Sequence, residues 1–158
     1  MEERKAIYYG KIELIPGIVC DGYVLDDSEM TAVLSERGTS DLLSVDQRLL
    51  NRMRTNWPPK VLESFIDKDL IMRTNMVEVT AKNSPYQGRK IATYNSKIIE
   101  NIIRSYVLAL ANHKLRENQR HIGERCAILL TILVRTALEA AIKEACGLRP
   151  EIQKTAQK

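Results

Sequence analysis

Arg48, Asn51, Arg52 and Arg54 follow Gln47 in the stretch QRLLNRMR, residues 47–54. Guanidinium and carboxamide groups at this density hydrogen-bond phosphates and the edges of bases. Upstream, SERGTSDLLSVD parses as a short helix and a tight turn at 43–45 leading into the QRLLNRMR helix. Leu42, Leu43, Val45, Leu49 and Leu50 would pack between the two helices. A second basic group, Lys82, Arg89 and Lys90, surrounds Tyr86, and such a group can grip a backbone or stack a base. The chain's 158 residues carry a net charge of +4, and the pI is near 9.0. That balance leans toward an anionic partner, DNA or RNA. Asp41, Asp46 and the acidic run DDSE at 26–29 dilute the field.

Other chemistry finds little footing. The metal-ligand candidates are Cys20, Cys126, Cys146, His113 and His121, and they form neither a CxxC nor an HxxxH spacing. The cysteines read as small buried hydrophobes, and the histidines as solvated residues beside a helix junction. Phosphate loops of the GxxxxGK[ST] and GxGxxG types are absent, as is the GxSxG nucleophile turn. Asp26 and Asp27 are adjacent in a turn, where solvation or turn hydrogen bonding explains them. The expectation is a protein that is not an enzyme, with no catalytic residues, metal, cofactor or small-molecule substrate.

The elements that would position the basic groups are legible in outline. IELIPGIVCDGYVL carries strand signals, and with MTAVL it makes a hairpin over 18–34 closed by a short loop. Ser35 can cap the first helix, and Ser44 and Asp46 punctuate before the second. Pro58 and Pro59 end that region, and Val61, Leu62, Phe65 and Ile66 share one face of a further short helix. MVEVTA and RKIATY form a second strand pair, with one side polar enough to stay wet. Then NSKIIENIIRSYVLALA, capped by Asn95 or Ser96, shows an apolar stripe at 98, 99, 102, 103, 106, 107 and 110. Lys97, Glu100, Asn101, Arg104 and Ser105 oppose it.

A last helix spans roughly 117–146, about 45 Å at 1.5 Å per residue. Between 126 and 134 it is apolar nearly all round, as for a helix buried among others. Gly123 inside it suggests close backbone approach or a local bend. Ala140, Ala141, Ala145 and Cys146 would let its end lie against another element, with Gly147 and Pro150 terminating it. The run CAILLTILV lies between Arg125 and Arg135 and is half the length of a membrane span, which needs about twenty residues. The charged opening MEERKAIYYG is unlike a secretion signal, so a cytoplasmic protein with reduced thiols is expected.

Several motifs together resemble a known family. AAIKEACGLRP at 140–150 is similar to the signature ALIDEATGYQ of a phage-associated C-terminal domain, often found behind KilA-N-type DNA-binding domains in bacterial mobile elements. IPGIVCDGYVL followed by AVLSERG resembles that family's hairpin and its VLSQRG motif. LRENQRHIGERCAILL resembles the start of its long helix. The likeness covers roughly residues 10–152, with Lys143, Cys146, Leu148 and Arg149 departing from the signature. It implies a fold and a phage or mobile-element setting, without a mechanism.

The expectation is one α+β domain over 1–158, with 1–10 and 152–158 as flexible ends. Two short antiparallel β-hairpins and short helices would pack on two long C-terminal α-helices. Glu144 near a helix C-terminus faces an unfavourable dipole, and two readings stand: Arg37 pairs with it and locks the hairpin region to the long helix, or both are solvated surface charges. Two functions compete. One is a DNA-associated regulator (transcription regulation is its natural form) or its assembly domain, using Arg48, Asn51, Arg52 and Arg54 first and Lys82, Arg89 and Lys90 second. The other is a protein-interaction and oligomerisation module without nucleic-acid binding, whose surplus apolar helix surface goes to a homodimer partner.

Overall fold

Alternation along the strands divides the apolar residues between two cores. In the computed structural model, which describes residues 4–56, 58–66 and 75–148, the strands are β1 (Lys5–Ile15), β2 (Ile18–Leu25), β3 (Ala32–Ser35), β4 (Asn75–Val79) and β5 (Lys90–Asn95). The helices are α1 (Glu36–Leu43), α2 (Gln47–Thr55), α3 (Ser96–Ala111) and α4 (Arg120–Ala145), with short 3-10 helices at Lys60–Phe65 and Glu117–Gln119. Val33 faces one core with Tyr23, Leu25, Val77 and Val79. Its neighbour Leu34 faces the other, with Tyr94, Ile98, Ile102 and the apolar side of α1 and α2.

The chain is α+β, but the strands form one closed barrel in the order β1-β2-β3-β5-β4, not two separate hairpins. Both expected strand pairs exist: β2 runs antiparallel to β3 through Tyr23↔Val33, and β4 to β5 through Val77↔Ile91. Closure comes from two further pairings, β3 with β5 antiparallel (Leu34↔Tyr94) and β1 with β4 parallel (Ala6↔Val79). These join residues far apart in sequence, and no local spacing announces them. Residues 5–10, expected to be a flexible end, are part of β1. Ala6 is fully buried, and its carbonyl accepts from Thr80 N–H at 3.0 Å and Ala81 N–H at 3.1 Å. Residues 152–158 lie outside the described residues.

Local caps follow the sequence signals. Ser35 Oγ accepts from Gly38 N–H at 3.0 Å, Asp46 from Leu49 N–H at 2.7 Å, and Asn95 from Ile98 N–H at 2.8 Å. Asp27 closes the β2–β3 loop by accepting from the Thr31 amide at 2.8 Å and the Thr31 hydroxyl, and it pairs with Arg4 at 2.9 Å. These bonds, Thr31's first, hold its carboxyl down to about 2. In α3 the expected apolar stripe is buried, but so are Asn101 and Ser105 from the supposed polar side. They tolerate it because their polar atoms are satisfied nearby. Ser105 Oγ donates to Asn101 O at 2.8 Å, and Asn101 Oδ1 accepts from Arg104 at 2.9 Å.

The first half of α4 is rooted in the helical core through Ile122, Cys126 and Leu129. At Gly123 an added Cβ would come within 2.7 Å of Leu115 Cδ1 and 3.1 Å of Leu110 Cβ. The glycine thus marks a close crossing by the end of α3. Arg125 Nη1 donates to the carbonyls of Asp41 at 3.1 Å and Leu42 at 3.2 Å, satisfying the free C-terminal end of α1. The helix is unbroken to Ala145 and ends as expected. Gly147 is left-handed at φ +85, and Leu148 N–H bonds back to Lys143 O at 2.8 Å.

The expectation of a helix buried along its length is overturned. Beyond Leu133 every described side chain of α4 is exposed, and Val134, Leu138 and Ile142 are each more than half exposed. The cause is length: the barrel and α3 cover only the first three or four turns, and the rod runs on past them. Gly123→Ala gains up to about 1 kcal/mol of helix propensity but overpacks the crossing, which costs roughly 1–3 kcal/mol. A net fall in melting temperature is expected from thermal unfolding; a rise would show that α3 and α4 do not meet closely there.

Candidate interaction surfaces

The basic helix α2 is anchored by Leu50 and Met53, both buried, so its other face looks outward. Arg48 and Arg52, four residues apart, are exposed on that face beside Gln47. Asn51 and Arg54 are engaged differently from the expectation. Arg54 Nη2 donates to Asn51 Oδ1 at 2.6 Å, and Asn51 Nδ2 donates to Glu36 Oε1 at 3.2 Å. The other oxygen of Glu36 accepts from Tyr94 OH at 3.5 Å. Asn51 and Glu36 therefore tie α2 to α1 and β5. Burial, with Glu36 nearby, raises the Tyr94 hydroxyl well above the ordinary tyrosine range, so it stays a neutral donor.

Lys82, Arg89 and Lys90 lie exposed around the β4–β5 connection. Tyr86, expected to stack a base, is half-buried and packs its ring against the barrel core. Its amide donates to Ser84 Oγ at 3.1 Å, and Ser84 Oγ meets Tyr23 OH at 3.0 Å, so the loop is pinned to the barrel interior. A shallow hollow of about 290 Å³ lies between this loop and α1, lined by Tyr86, Ile91, Ser35, Glu36 and Arg37. Arg37 thus faces the same hollow as Tyr86. The expected pair with Glu144 is not made: both side chains are exposed, and among the described residues no ion pair joins them. The reason is again the rod, since Glu144 sits on the part of α4 that has left the body.

The outer part of α4 is the second surface. Ala127, Thr131, Val134, Leu138, Ala141 and Ala145 recur within the helix at alternating steps of four and three, the spacing of a coiled-coil seam. Ala127 is half-buried and the others are exposed. Leu130 and Ile142 widen the stripe, at 38% and 54% exposure. Near the foot of the helix an apolar groove of about 230 Å³ is lined by Ile12, Leu14, Leu34, Ile99, Ile103 and Leu133. The sequence reading packed residues 126–134 among other helices and Ala140, Ala141, Ala145 and Cys146 against another element, whereas these four are exposed. The 4–3 spacing is the signal that marks the stripe as a seam.

The remaining reactive groups are dispersed. Cys20 is buried with its thiol donating to Gly38 O at 3.3 Å, and burial raises its pKa. Burial pushes the Cys126 thiol up to about 12. Cys146, expected to be buried, is exposed at the end of α4. His113 and His121 are exposed, and His121 Nε2 lies 3.2 Å from Ser44 O. Among the described residues no three His, Cys, Asp or Glu side chains gather as a metal site, and no helix is long and apolar enough to cross a membrane.

No family model, curated protein or solved structure matches this chain.

In native buffer near pH 8 a thiol reagent should modify Cys146 rapidly while Cys20 and Cys126 stay protected until denaturant is added. Mass mapping of the labelled peptides reads this directly. Equal labelling of Cys126 would mean that α4 is not rooted as described.

Proposed function

We propose that this chain is a non-enzymatic assembly module, which uses the outer half of α4 to join two copies in a phage or mobile-element setting. The observation carrying the reading is the apolar stripe on α4, exposed among the described residues, from Leu130 through Val134 and Leu138 to Ile142. Single exposed aliphatic residues need no explanation, but a contiguous row on a projecting rod marks an interaction surface. From Leu130 to Ala145, the last helical residue, the stripe is about 22 Å long and about 10 Å wide, on the order of 200 Å² per copy. Burying it on both copies contributes roughly 10 kcal/mol gross. Association costs about 4–15 kcal/mol. A reversible, concentration-dependent dimer is the outcome that arithmetic supports. The resemblance of the SERG and KEACG regions to a phage-associated domain is in keeping with it.

A second reading, DNA or RNA binding, is favoured by one observation. Arg48 and Arg52 are exposed side by side on α2. A dimer would double this basic surface, so the two readings coexist.

Light scattering across a concentration series should give a mass approaching twice the chain's 18.0 kDa. Leu138→Glu should return it to the monomer with the melting temperature of the dilute protein unchanged, because Leu138 is 58% exposed among the described residues. A wild-type monomer at every concentration would defeat the assembly reading. For the second reading, mobility shifts on duplex, single-stranded and RNA ligands should weaken steeply with salt and with Arg48→Ala/Arg52→Ala. Equal affinity of wild type and variant would remove it.

A further inference from the structure

We infer that the outer edge of β1 over residues 10–13 binds an extended peptide, which joins the sheet as an antiparallel strand carrying a basic, an apolar and an acidic residue in that order. This surface is separate from the outer half of α4, and the inference does not rest on the assembly reading. The barrel closes only at the start of β1. Parallel pairing to β4 covers Lys5 and Ala6, whereas β2 follows the other side of β1 as far as Ile15. Past Ala6 the outer edge is met once, by Asn83 Nδ2 donating to Tyr9 O at 3.2 Å. Among the described residues no hydrogen bond other than those to β2 reaches the main chain from Gly10 to Glu13, and all four residues are exposed.

Strand geometry says which groups are free. In an antiparallel pair the N–H and C=O of one residue point to the same side, and successive residues alternate. Tyr9 turns its carbonyl outward to Asn83, so Lys11 and Glu13 turn their main-chain groups outward too. Gly10 and Ile12 turn theirs to Gly22 and Cys20 of β2. Side chains alternate between the two faces of the sheet. Lys11 and Glu13 share one face, and Ile12 stands on the other, where with Leu14, Leu34, Ile103 and Leu133 it lines the apolar groove of about 230 Å³. An unpaired edge beside a side-chain groove is what strand addition uses: main-chain bonds give affinity, and alternate side chains give selection.

Charge sets the order of the peptide. A strand laid antiparallel places successive residues opposite Glu13, Ile12 and Lys11. Opposite charges directly across a strand pair attract and like charges repel, so a basic residue meets Glu13 and an acidic one meets Lys11. The residue between them comes beside Ile12 on the groove face, where an aliphatic side chain fits. Residues 10–14 make about 17 Å of edge, enough for one strand and far short of the roughly 800 Å² per partner of a standard interface between folded proteins. Lys11-Ile12-Glu13 itself has the required order, so the chain's own segment supplies a probe.

Fluorescence polarisation with dilute labelled peptides tests this on the full-length protein. GKIELI should bind saturably, and GEIKLI, with the charges exchanged, about fivefold or more weakly. Lys11→Glu/Glu13→Lys, at two exposed positions, should keep the melting temperature and reverse that preference. Methylating the peptide's Lys and Glu nitrogens, which face the edge, should abolish binding, and methylating the Ile nitrogen between them should not. No saturable binding of either peptide, equal binding of the two, or a preference that the double variant leaves unchanged would overturn the inference. So would equal loss from methylation at any of the three nitrogens. A Leu138→Glu chain that stays dimeric until Lys11→Glu separates it would put a second copy on this edge and overturn the peptide as its occupant.

Discussion

Everything beyond residue 133 depends on how α4 is held before it. The close crossing at Gly123, where the end of α3 occupies the space a side chain would need, fixes the angle of the rod. Arg125 adds a second constraint by donating to the last carbonyls of α1. Together they hold α4 on the two helices whose core side is shared with the barrel. The helix keeps going because its sequence, rich in alanine, leucine and glutamate, favours helix with or without a partner. The result is a rod whose apolar seam is exposed among the described residues.

The two candidate surfaces have different origins. On α2 the buried Leu50 and Met53 decide the orientation, and the outward side, exposed among the described residues, is polar. Part of that polarity is already used: Asn51, Arg54 and Glu36 are bonded to one another, which leaves Arg48 and Arg52 as the exposed cations of the helix. On α4 the exposed side is apolar instead, which costs solubility unless something meets it. Hence the assembly reading rests on the rod, and the nucleic-acid reading stands as its companion.

Much of the local structure was legible in the sequence, because local rules produce it. Ser35, Asp46 and Asn95 cap helices as their types suggest, Gly147 ends α4 in the left-handed conformation, and Gly123 marks a close approach. Barrel closure was hidden, since Ala6↔Val79 and Leu34↔Tyr94 join distant strands whose patterns suit an open hairpin equally well. The fate of residues 127–148 was hidden for a related reason. An all-round apolar helix reads alike whether its own chain or another copy covers it, and only the length of the body decides. The Arg37–Glu144 pairing failed with it, because Glu144 is carried out of reach.

Hydrogen exchange along α4, followed against protein concentration, tests the central claim most directly. A rooted helix with a seam that needs a second copy should exchange slowly over residues 120–133 at every concentration. Over 134–145 it should be protected only where the protein is concentrated, and lose that protection on dilution. Rapid exchange over 134–145 at all concentrations, or equal protection at all of them, would contradict the account.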